Sequence, residues 1–172
     1  MRSSPASLVA AQPHPAGPAS TWLEILPVLH DGGTIRCLRP RGQQSWRVPH
    51  DRGQVGAAVT RELAGAGLRA AVVHSTSWRQ ERELVLLTHL VVLAAGTVVV
   101  APGFEMRRVR RRELARGGAT QPPVSVDVDQ VLEHALRHLA WLHQEDRAVR
   151  SAMEPGWRDR LRGYRPEPFR VF

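Results

Sequence analysis

The spacing of apolar and polar residues changes several times along the chain and divides it into strands and helices. Residues 21–30 and 34–40 flank the turn sequence Asp31-Gly32-Gly33, and the second segment alternates with period two, so we expect a β-hairpin. A third, short strand is predicted over residues 45–48, because Pro49 cannot continue it.

The apolar residues between Asp51 and Gly67 recur every three or four positions, which is the spacing of an amphipathic helix. Asp51 is the expected N-cap of this helix, with Gln54 as its capping-box partner. Gly65 or Gly67 is expected to end it, because glycine accepts the backbone conformation that follows a helix.

Three further strands are predicted after this helix. Residues 68–80 and 84–96 are expected to pair as a hairpin around a charged turn, and residues 97–104 are expected to follow as a third strand. We expect these to be the central strands of the sheet. Because residues 85–93 are almost continuously apolar, both faces of that strand should be covered.

In the last third of the chain, the sequence pattern predicts one strand and two helices. Residues 104–117 are expected to form a basic strand followed by a helical turn. Asp127 is an expected N-cap, with Gln130 at the capping-box position, and it opens the longest helix, from Asp129 to Arg147. A shorter, interrupted helix is expected over residues 150–162. The long helix carries an apolar stripe of Val131, Leu132, Ala135, Leu136, Leu139 and Leu142.

Length and composition indicate that these elements form one domain. With 172 residues, of which 42% are hydrophobic, the chain can bury a single core. We predict an α+β domain over residues 21–172, with a mixed, mainly antiparallel sheet, a central helix and a long C-terminal helix. Residues 1–20 are expected to be a disordered tail, because their only apolar run, Leu8 to Ala11, is too short for a secretory signal. The apolar stretch 84–100 is interrupted by polar residues, so no membrane span is expected.

Charge and cysteine content bear on the origin of the basic charge and on the cellular compartment of the protein. The formal net charge is +8, and all 24 Lys+Arg residues are arginine, a usage that GC-rich codons produce, so we expect part of the basicity to reflect genome composition. The lone cysteine, Cys37, excludes an intramolecular disulfide framework and indicates a reducing compartment, which makes the cytoplasm the expected location. Its apolar strand context predicts an inert thiol instead of a nucleophile.

The segment from Trp46 to Leu68, WRVPHDRGQVGAAVTRELAGAGL, resembles the Nudix region. In that family a strand ending in tryptophan and proline leads through a glycine-rich loop into a helix bearing Ala-Ala, Arg-Glu-Leu and a terminal Gly-Leu. The matching residues here are Trp46, Val48, Pro49, Ala57, Ala58, Arg61, Glu62, Leu63, Gly67 and Leu68. The resemblance implies a Nudix-like fold. The run HSTSWR, from His74 to Arg79, is similar to segments of uncharacterised proteins from high-GC bacteria.

The residues that would make such a domain an enzyme are missing. In the family, the helix supplies a Glu-Glu pair after Arg-Glu-Leu, and these carboxylates hold a divalent metal that bridges the diphosphate and activates water. The corresponding stretch here is Ala64-Gly65-Ala66, which leaves Glu62 as a single carboxylate. One carboxylate is not expected to hold a hydrated Mg²⁺ in a catalytic geometry. We therefore predict no catalytic residues, no metal and no cofactor.

The polar run from His74 to Arg79 is a candidate ligand-binding strand. Strict alternation places His74, Thr76 and Trp78 on one face and Ser75, Ser77 and Arg79 on the other. Either face could line a cleft in which His74 or Arg79 binds a phosphate or a carboxylate. The alternative is an edge strand whose polar groups bind water and the neighbouring strand.

A histidine pair on the long helix is the second candidate. His134 and His138 are four residues apart, so they share a helix face with Trp141. Two histidines can chelate a metal, but a catalytic zinc needs three protein ligands and the third is not identifiable, so a metal is not predicted. The candidate cleft residues are His74, Thr76, Trp78, Arg79, Glu62, His134 and His138.

The densest basic cluster consists of Arg107, Arg108, Arg110, Arg111 and Arg112. Such a cluster attracts the phosphates of nucleic acid. The alternative is a solvated, charged strand edge that prevents aggregation between sheets.

Three hypotheses about function follow. The leading one is a non-catalytic Nudix-like module that binds a small molecule or a protein. The first alternative is a divergent Nudix-type hydrolase of a nucleoside diphosphate derivative, with Mg²⁺ held by relocated ligands. The candidates for those ligands are Glu62, Glu81, Glu83, His74 and His134. The second alternative is a basic nucleic-acid-binding protein.

Overall fold

The computed structural model describes residues 20–51, 53–97, 102–114 and 126–168. The elements within them are β1 (Ser20–Asp31), β2 (Thr34–Pro40), β3 (Trp46–Pro49), α1 (Val55–Gly65), β4 (Ala70–Glu81), β5 (Leu84–Leu93), β6 (Phe104–Arg108), α2 (Val128–Glu145), α3 (Arg147–Ala152) and α4 (Gly156–Leu161). The predicted α+β class is confirmed. Most of the predicted tail, residues 1–19, and much of the strand predicted before residue 104 lie outside the described residues.

β1 is the central strand of a six-stranded sheet with the order β4-β5-β1-β2-β6. One side of β1 pairs in parallel with β5, from Ser20 opposite Leu84 to Val28 opposite Val92. The other side is divided between two antiparallel partners, β3 along the first half of β1 and β2 along the second half. The pairs β4–β5 and β2–β6 are antiparallel, so the sheet is mixed and mainly antiparallel, as predicted.

β4 pairs with β5 as predicted, but it lies at an edge of the described sheet and not at the centre. Its apolar start suggested a central strand because α1 and α2 pack against its two faces. The continuous apolar run of β5 has the same cause. Leu90 and Val92 join the hydrophobic cluster beneath α2, while Val91 and Leu93 join the cluster beneath α1.

The helix that follows β3 begins later than the sequence pattern indicates. α1 starts at Val55, Gln54 occupies the N-cap position, and no side chain caps the helix, so the prediction of Asp51 as N-cap is wrong. The cause is Gly53, whose φ of 99° lies in the left-handed region and separates Asp51 from the first helical turn. After the end of the helix, Gly67 has a φ of 70°, as expected of the glycine that follows a helix.

The predicted long helix is confirmed with its capping box. The side chain of Asp127 caps the first turn of α2, and the Gln130 side chain accepts from the Asp127 backbone N–H. All six residues of the predicted apolar stripe are buried. The interrupted helix expected over residues 150–162 is present as the two short helices α3 and α4, with the break before Gly156. No helix in the described part of the chain combines the length and apolar character needed to cross a membrane.

The helical turn predicted after β6 is absent from residues 109–114. The backbone N–H of Val109 donates to the carbonyl of Ile35 at 2.9 Å, so the chain continues beside β2 beyond the end of the strand. Backbone committed to a neighbouring strand cannot form helical hydrogen bonds.

The two aspartates that the sequence pattern suggested as N-caps give a matched test. Asp127→Ala should lower the free energy of unfolding by about 1 kcal/mol, because the first turn of α2 loses its cap. Asp51→Ala should change it by less than about 0.5 kcal/mol, because Asp51 is exposed and caps no helix. Urea unfolding followed by circular dichroism measures both values, and equal effects would contradict the assignment.

Candidate functional site

A β-bulge at Thr76 determines where the polar run of β4 points. Between Ser75 and Ser77 the strand is one residue longer than its partner β5, and Thr76 is the extra residue. The side-chain alternation therefore reverses at this point. His74 and Arg79, predicted on opposite faces, both lie on the face that α2 covers. Thr76 is buried, and its hydroxyl donates to a backbone carbonyl of β5 at 3.4 Å.

The seven candidate cleft residues lie on two faces of the sheet. Glu62 is on α1, and Trp78, which is 70% exposed, pairs with Leu87 on that same side at the sheet edge. His74 and Arg79 lie on the α2 side. His134 and His138 belong to α2 itself. The structure therefore does not gather these residues into one cleft.

Arg79 belongs to a buried polar network centred on Glu24, a residue that the sequence analysis overlooked. The Glu24 carboxylate is fully buried and accepts two bonds from the Arg79 guanidinium, at 2.5 and 2.8 Å. It also accepts from the hydroxyls of Ser45 (2.7 Å) and Thr88 (3.1 Å). An acidic residue within the apolar run 22–29 was the available signal, but its partners are 21 to 64 residues distant in the chain.

Two further charged residues extend this network to the surface. Arg47 on β3 lies 3.4 Å from the Glu24 carboxylate and donates to Glu81 at 2.8 Å. Glu81 in turn accepts from Nε of Arg79 at 3.0 Å. Two carboxylates and two guanidiniums therefore balance one another, and the network carries no excess charge.

The network sets the protonation state of its buried acid. Burial alone would raise the pKa of the Glu24 carboxyl, but the hydrogen bonds and charge of Arg79, with help from Ser45 and Arg47, hold that pKa below its usual value. Glu24 is thus an ionised structural group. A carboxylate with so low a pKa is a poor general base.

A second buried carboxylate, Glu133 on α2, is neutralised in the same way. Arg111 donates to it through Nε and Nη2 at 2.8 and 3.0 Å, and Arg137 donates through Nε at 2.9 Å. The Arg111 guanidinium also lies over the Tyr164 ring, 4.1 Å from its centroid. This network fixes the segment after β6 and the C-terminal residues to α2.

These contacts divide the basic cluster that was a candidate nucleic-acid site. Arg107 lies 3.3 Å from the buried Asp129, and Arg111 is bound to Glu133. Arg108, Arg110 and Arg112 are exposed. Two of the five arginines are therefore engaged with acidic side chains of α2.

The histidines of β4 and α2 form a direct contact. Nε2 of His74 and Nε2 of His138 are 2.9 Å apart, and the two ring planes are inclined by 22°, with 4.9 Å between the ring centroids. Trp141 stacks on His138, with 5.5 Å between the ring centroids. His134, one turn earlier on α2, is half-buried beside them. No group of three or more histidine, cysteine or acidic side chains that could hold a metal occurs among the described residues.

An open groove of about 610 Å³ lies beside α1. Its lining residues are Trp46, Arg61, Glu62, Gly65, Ala66, Pro102 and Phe104. The rings of Trp46 and Phe104 meet edge to face at 4.8 Å and give the groove an apolar wall. Gly65 and Ala66 leave space on the helix side, where a Cβ atom added to Gly65 would meet no atom within 4 Å.

Cys37 matches the prediction of an inert thiol. It is buried in β2, and burial raises the pKa of its thiol to about 12, with a further contribution from the charge of Glu24. The thiolate that nucleophilic chemistry needs is therefore not formed at neutral pH.

The Glu24 network gives a test of buried against exposed ion pairs. Glu24→Gln should lower the free energy of unfolding at pH 7 by about 3–5 kcal/mol, because Arg79 then loses its buried counter-charge. Glu105→Gln, which removes the partly exposed pair with Arg39, should cost less, about 1 kcal/mol. Equilibrium unfolding in urea measures both, and a small cost for Glu24→Gln would contradict the assigned role.

The same network predicts a pH dependence. Because the folded-state pKa of Glu24 lies below its ordinary value of 4.5, its contribution is complete above pH 4.5 and is lost as the pH falls through the folded-state pKa. The stability difference between the wild-type protein and Glu24→Gln should therefore shrink in acid. A difference that stays constant down to the acid transition would show that the Glu24 charge is not responsible.

The chain was also compared with known proteins. No protein-family model matches it, and no curated protein matches it significantly. The evidence for function is therefore the geometry of the sites described above.

Proposed function

We propose that the protein is a non-catalytic Nudix-like binding module of the bacterial cytoplasm, and that its ligand occupies the groove beside α1. The ligand is a small molecule with a flat apolar part and an anionic group, such as a nucleoside diphosphate derivative. The single observation that carries the proposal is the lining of the groove, which combines an aromatic wall with one arginine and space along the helix.

The lining supports binding of this class of ligand. The half-buried Phe104, packed edge to face against the buried Trp46, offers ring surface to a planar group, and the exposed Arg61 offers a guanidinium to a phosphate or a carboxylate. The volume of the groove falls within the range usual for small-molecule sites.

The Nudix resemblance supports the location and the absence of catalysis. The stretch Ala64-Gly65-Ala66 corresponds to the metal-binding Glu-Glu pair of the family, and Gly65 and Ala66 of this stretch line the groove. Glu62 is the one carboxylate among its described lining residues. Small residues in place of acids leave room for a ligand but provide too few oxygen atoms for a catalytic divalent ion.

The two alternatives have weaker support. Of the relocated metal ligands, Glu81 is bound by Arg47 and Arg79, His74 contacts His138, and Glu62 lies on the opposite face of the sheet. Nucleic-acid binding would depend on Arg108, Arg110 and Arg112, because Arg107 and Arg111 are bound to acidic side chains of α2.

Two glycines of α1 provide a matched pair of variants for the ligand site. Gly65→Leu should reduce ligand affinity at least about tenfold, because its side chain fills the groove. Gly56→Leu should leave affinity unchanged, because Gly56 lies at the start of α1, away from the groove, and also has open space around it. Isothermal titration of a panel of nucleoside diphosphate derivatives in the presence of EDTA measures the affinities.

The same panel, incubated with Mg²⁺ or Mn²⁺, tests the absence of catalysis. We expect binding to the wild-type protein without turnover. Robust hydrolysis would overturn the non-catalytic assignment, and failure of every compound to bind would overturn the ligand class. Equal affinities of Gly65→Leu and Gly56→Leu would overturn the location.

A further inference from the structure

The arginines of β2 and of residues 104–111 divide between the two faces of the sheet. Those on the face that α2 covers have acidic partners, in the pairs Arg39–Glu105, Arg107–Asp129 and Arg111–Glu133. Strand alternation turns Arg36, Arg108 and Arg110 to the other face, the one that carries α1. Within the described residues, no acidic side chain pairs with Arg108 or Arg110, and both are exposed. Positive charge that the fold leaves unneutralised is therefore collected on one face at the β6 side of the sheet.

Two of these arginines are directly opposite each other. Arg36 of β2 is the register partner of Arg108 of β6. Like charges at directly opposite positions of a ladder destabilise it. Asp31 lies 3.3 Å from Arg36, but both side chains of this pair are largely exposed, so it compensates the repulsion only in part. An anionic group bound beside Arg108 would relieve the repulsion that remains.

The backbone of β6 also has an unused edge. β6 is the last strand of the described sheet, and β2 is its one strand partner there. Backbone groups of Gly103 and Val109 bond to the β2 side, at 2.8 and 2.9 Å. Because hydrogen-bonded and non-hydrogen-bonded pairs alternate in an antiparallel ladder, Met106 and Arg108 turn their backbone N–H and C=O groups away from β2. This outer edge of β6 therefore offers backbone donors and acceptors beside arginine side chains.

We propose that the outer edge of β6 is a docking site for an acidic, extended segment of a partner protein, which adds to the sheet as an antiparallel strand. Acidic side chains at alternate positions of such a segment are roughly 7 Å apart, the same spacing as that of Arg108 and Arg110. The backbone bonds supply affinity that does not depend on sequence, and the arginines select carboxylates.

Charge complementarity and the free backbone groups identify the kind of partner. A second copy of β6 would bring its own arginines against these, so the edge does not pair with itself. Phosphates of a nucleic acid could bind the arginines, but nucleic acid has no regular row of backbone donors and acceptors to match those of Met106 and Arg108. The opposite edge of the described sheet, β4, is interrupted by the bulge at Thr76, which hinders the addition of a strand.

Binding of a synthetic peptide to the full chain tests the site. The probe is a fluorescein-labelled peptide of about eight residues in which glutamate alternates with threonine, a length typical of a strand. Fluorescence anisotropy should show saturable binding that weakens as the salt concentration rises. Replacement of every glutamate by glutamine should weaken binding at least about tenfold, because the charge-assisted bonds to arginine are lost.

Backbone methylation of the peptide separates strand addition from attraction by charge alone. In the proposed arrangement each glutamate is opposite a residue of β6 whose N–H points outward, so the glutamate N–H groups face β6 and the threonine N–H groups face away. N-methylation of the glutamates should weaken binding at least about tenfold, while N-methylation of the threonines should leave it unchanged. Addition of the unmethylated peptide should also protect the N–H groups of Met106 and Arg108 from solvent exchange.

Two double variants with the same net charge locate the site on the protein. Arg108→Gln with Arg110→Gln should weaken peptide binding at least about tenfold. Arg147→Gln with Arg158→Gln removes two other exposed arginines, on α3 and α4, and should change affinity less than about twofold. All four side chains are exposed, so both variants are expected to fold.

Four results would overturn the proposal. The first is failure of the glutamate peptide to bind at low salt. The second is equal binding of the two methylated peptides, which would leave charge as the cause. The third is an equal loss of affinity in the two double variants. The fourth is tighter binding of an oligothymidylate of matched charge, which would assign the arginines to nucleic acid.

Discussion

The carboxylate of Glu24 is buried in the central strand of the sheet, and the neighbouring strands are arranged so that its charge is compensated. β4 contributes Arg79, β5 contributes Thr88, and β3 contributes Arg47, so each of these three strands supplies a partner. An unpaired carboxylate at this depth would cost several kcal/mol. The network therefore favours one register of these strands over any that separates Glu24 from Arg79, because a shifted strand would leave a buried charge without its counter-charge.

Arginine is the cation in each buried pair, and its geometry explains why. The planar guanidinium of Arg79 binds both oxygens of Glu24, and that of Arg111 binds both oxygens of Glu133. Lysine, with a compact ammonium group, could not make these paired bonds. The fold uses part of its abundant arginine for internal neutralisation. The net charge of +8 is therefore a poor guide to affinity for an external polyanion.

Local signals in the sequence predicted most of the elements, and the contacts that create sites were largely missed. The capping box at Asp127 and the apolar stripe of α2 depend on residues a few positions apart, so both were predictable. The start of α1 was missed because it depends on the backbone of Gly53. In the candidate sites, the sequence pointed to the side chains of Glu62, His74 and His138. Their partners were not identified, because His74 and His138 are 64 residues apart and meet only through the packing of α2 on β4.

The extra residue at Thr76 determines which face of the sheet each later side chain of β4 occupies. Without it, each side chain from Ser77 onwards would turn to the opposite face, and Arg79 would point away from Glu24. Deletion of one residue in this strand would thus destabilise the fold more than truncation of one side chain. The deletion would remove the counter-charge of Glu24 and turn polar side chains of β4 towards the opposite face of the sheet. Insertions and deletions in β4 should therefore be tolerated less well than substitutions at Thr76, because a substitution leaves the side-chain alternation unchanged.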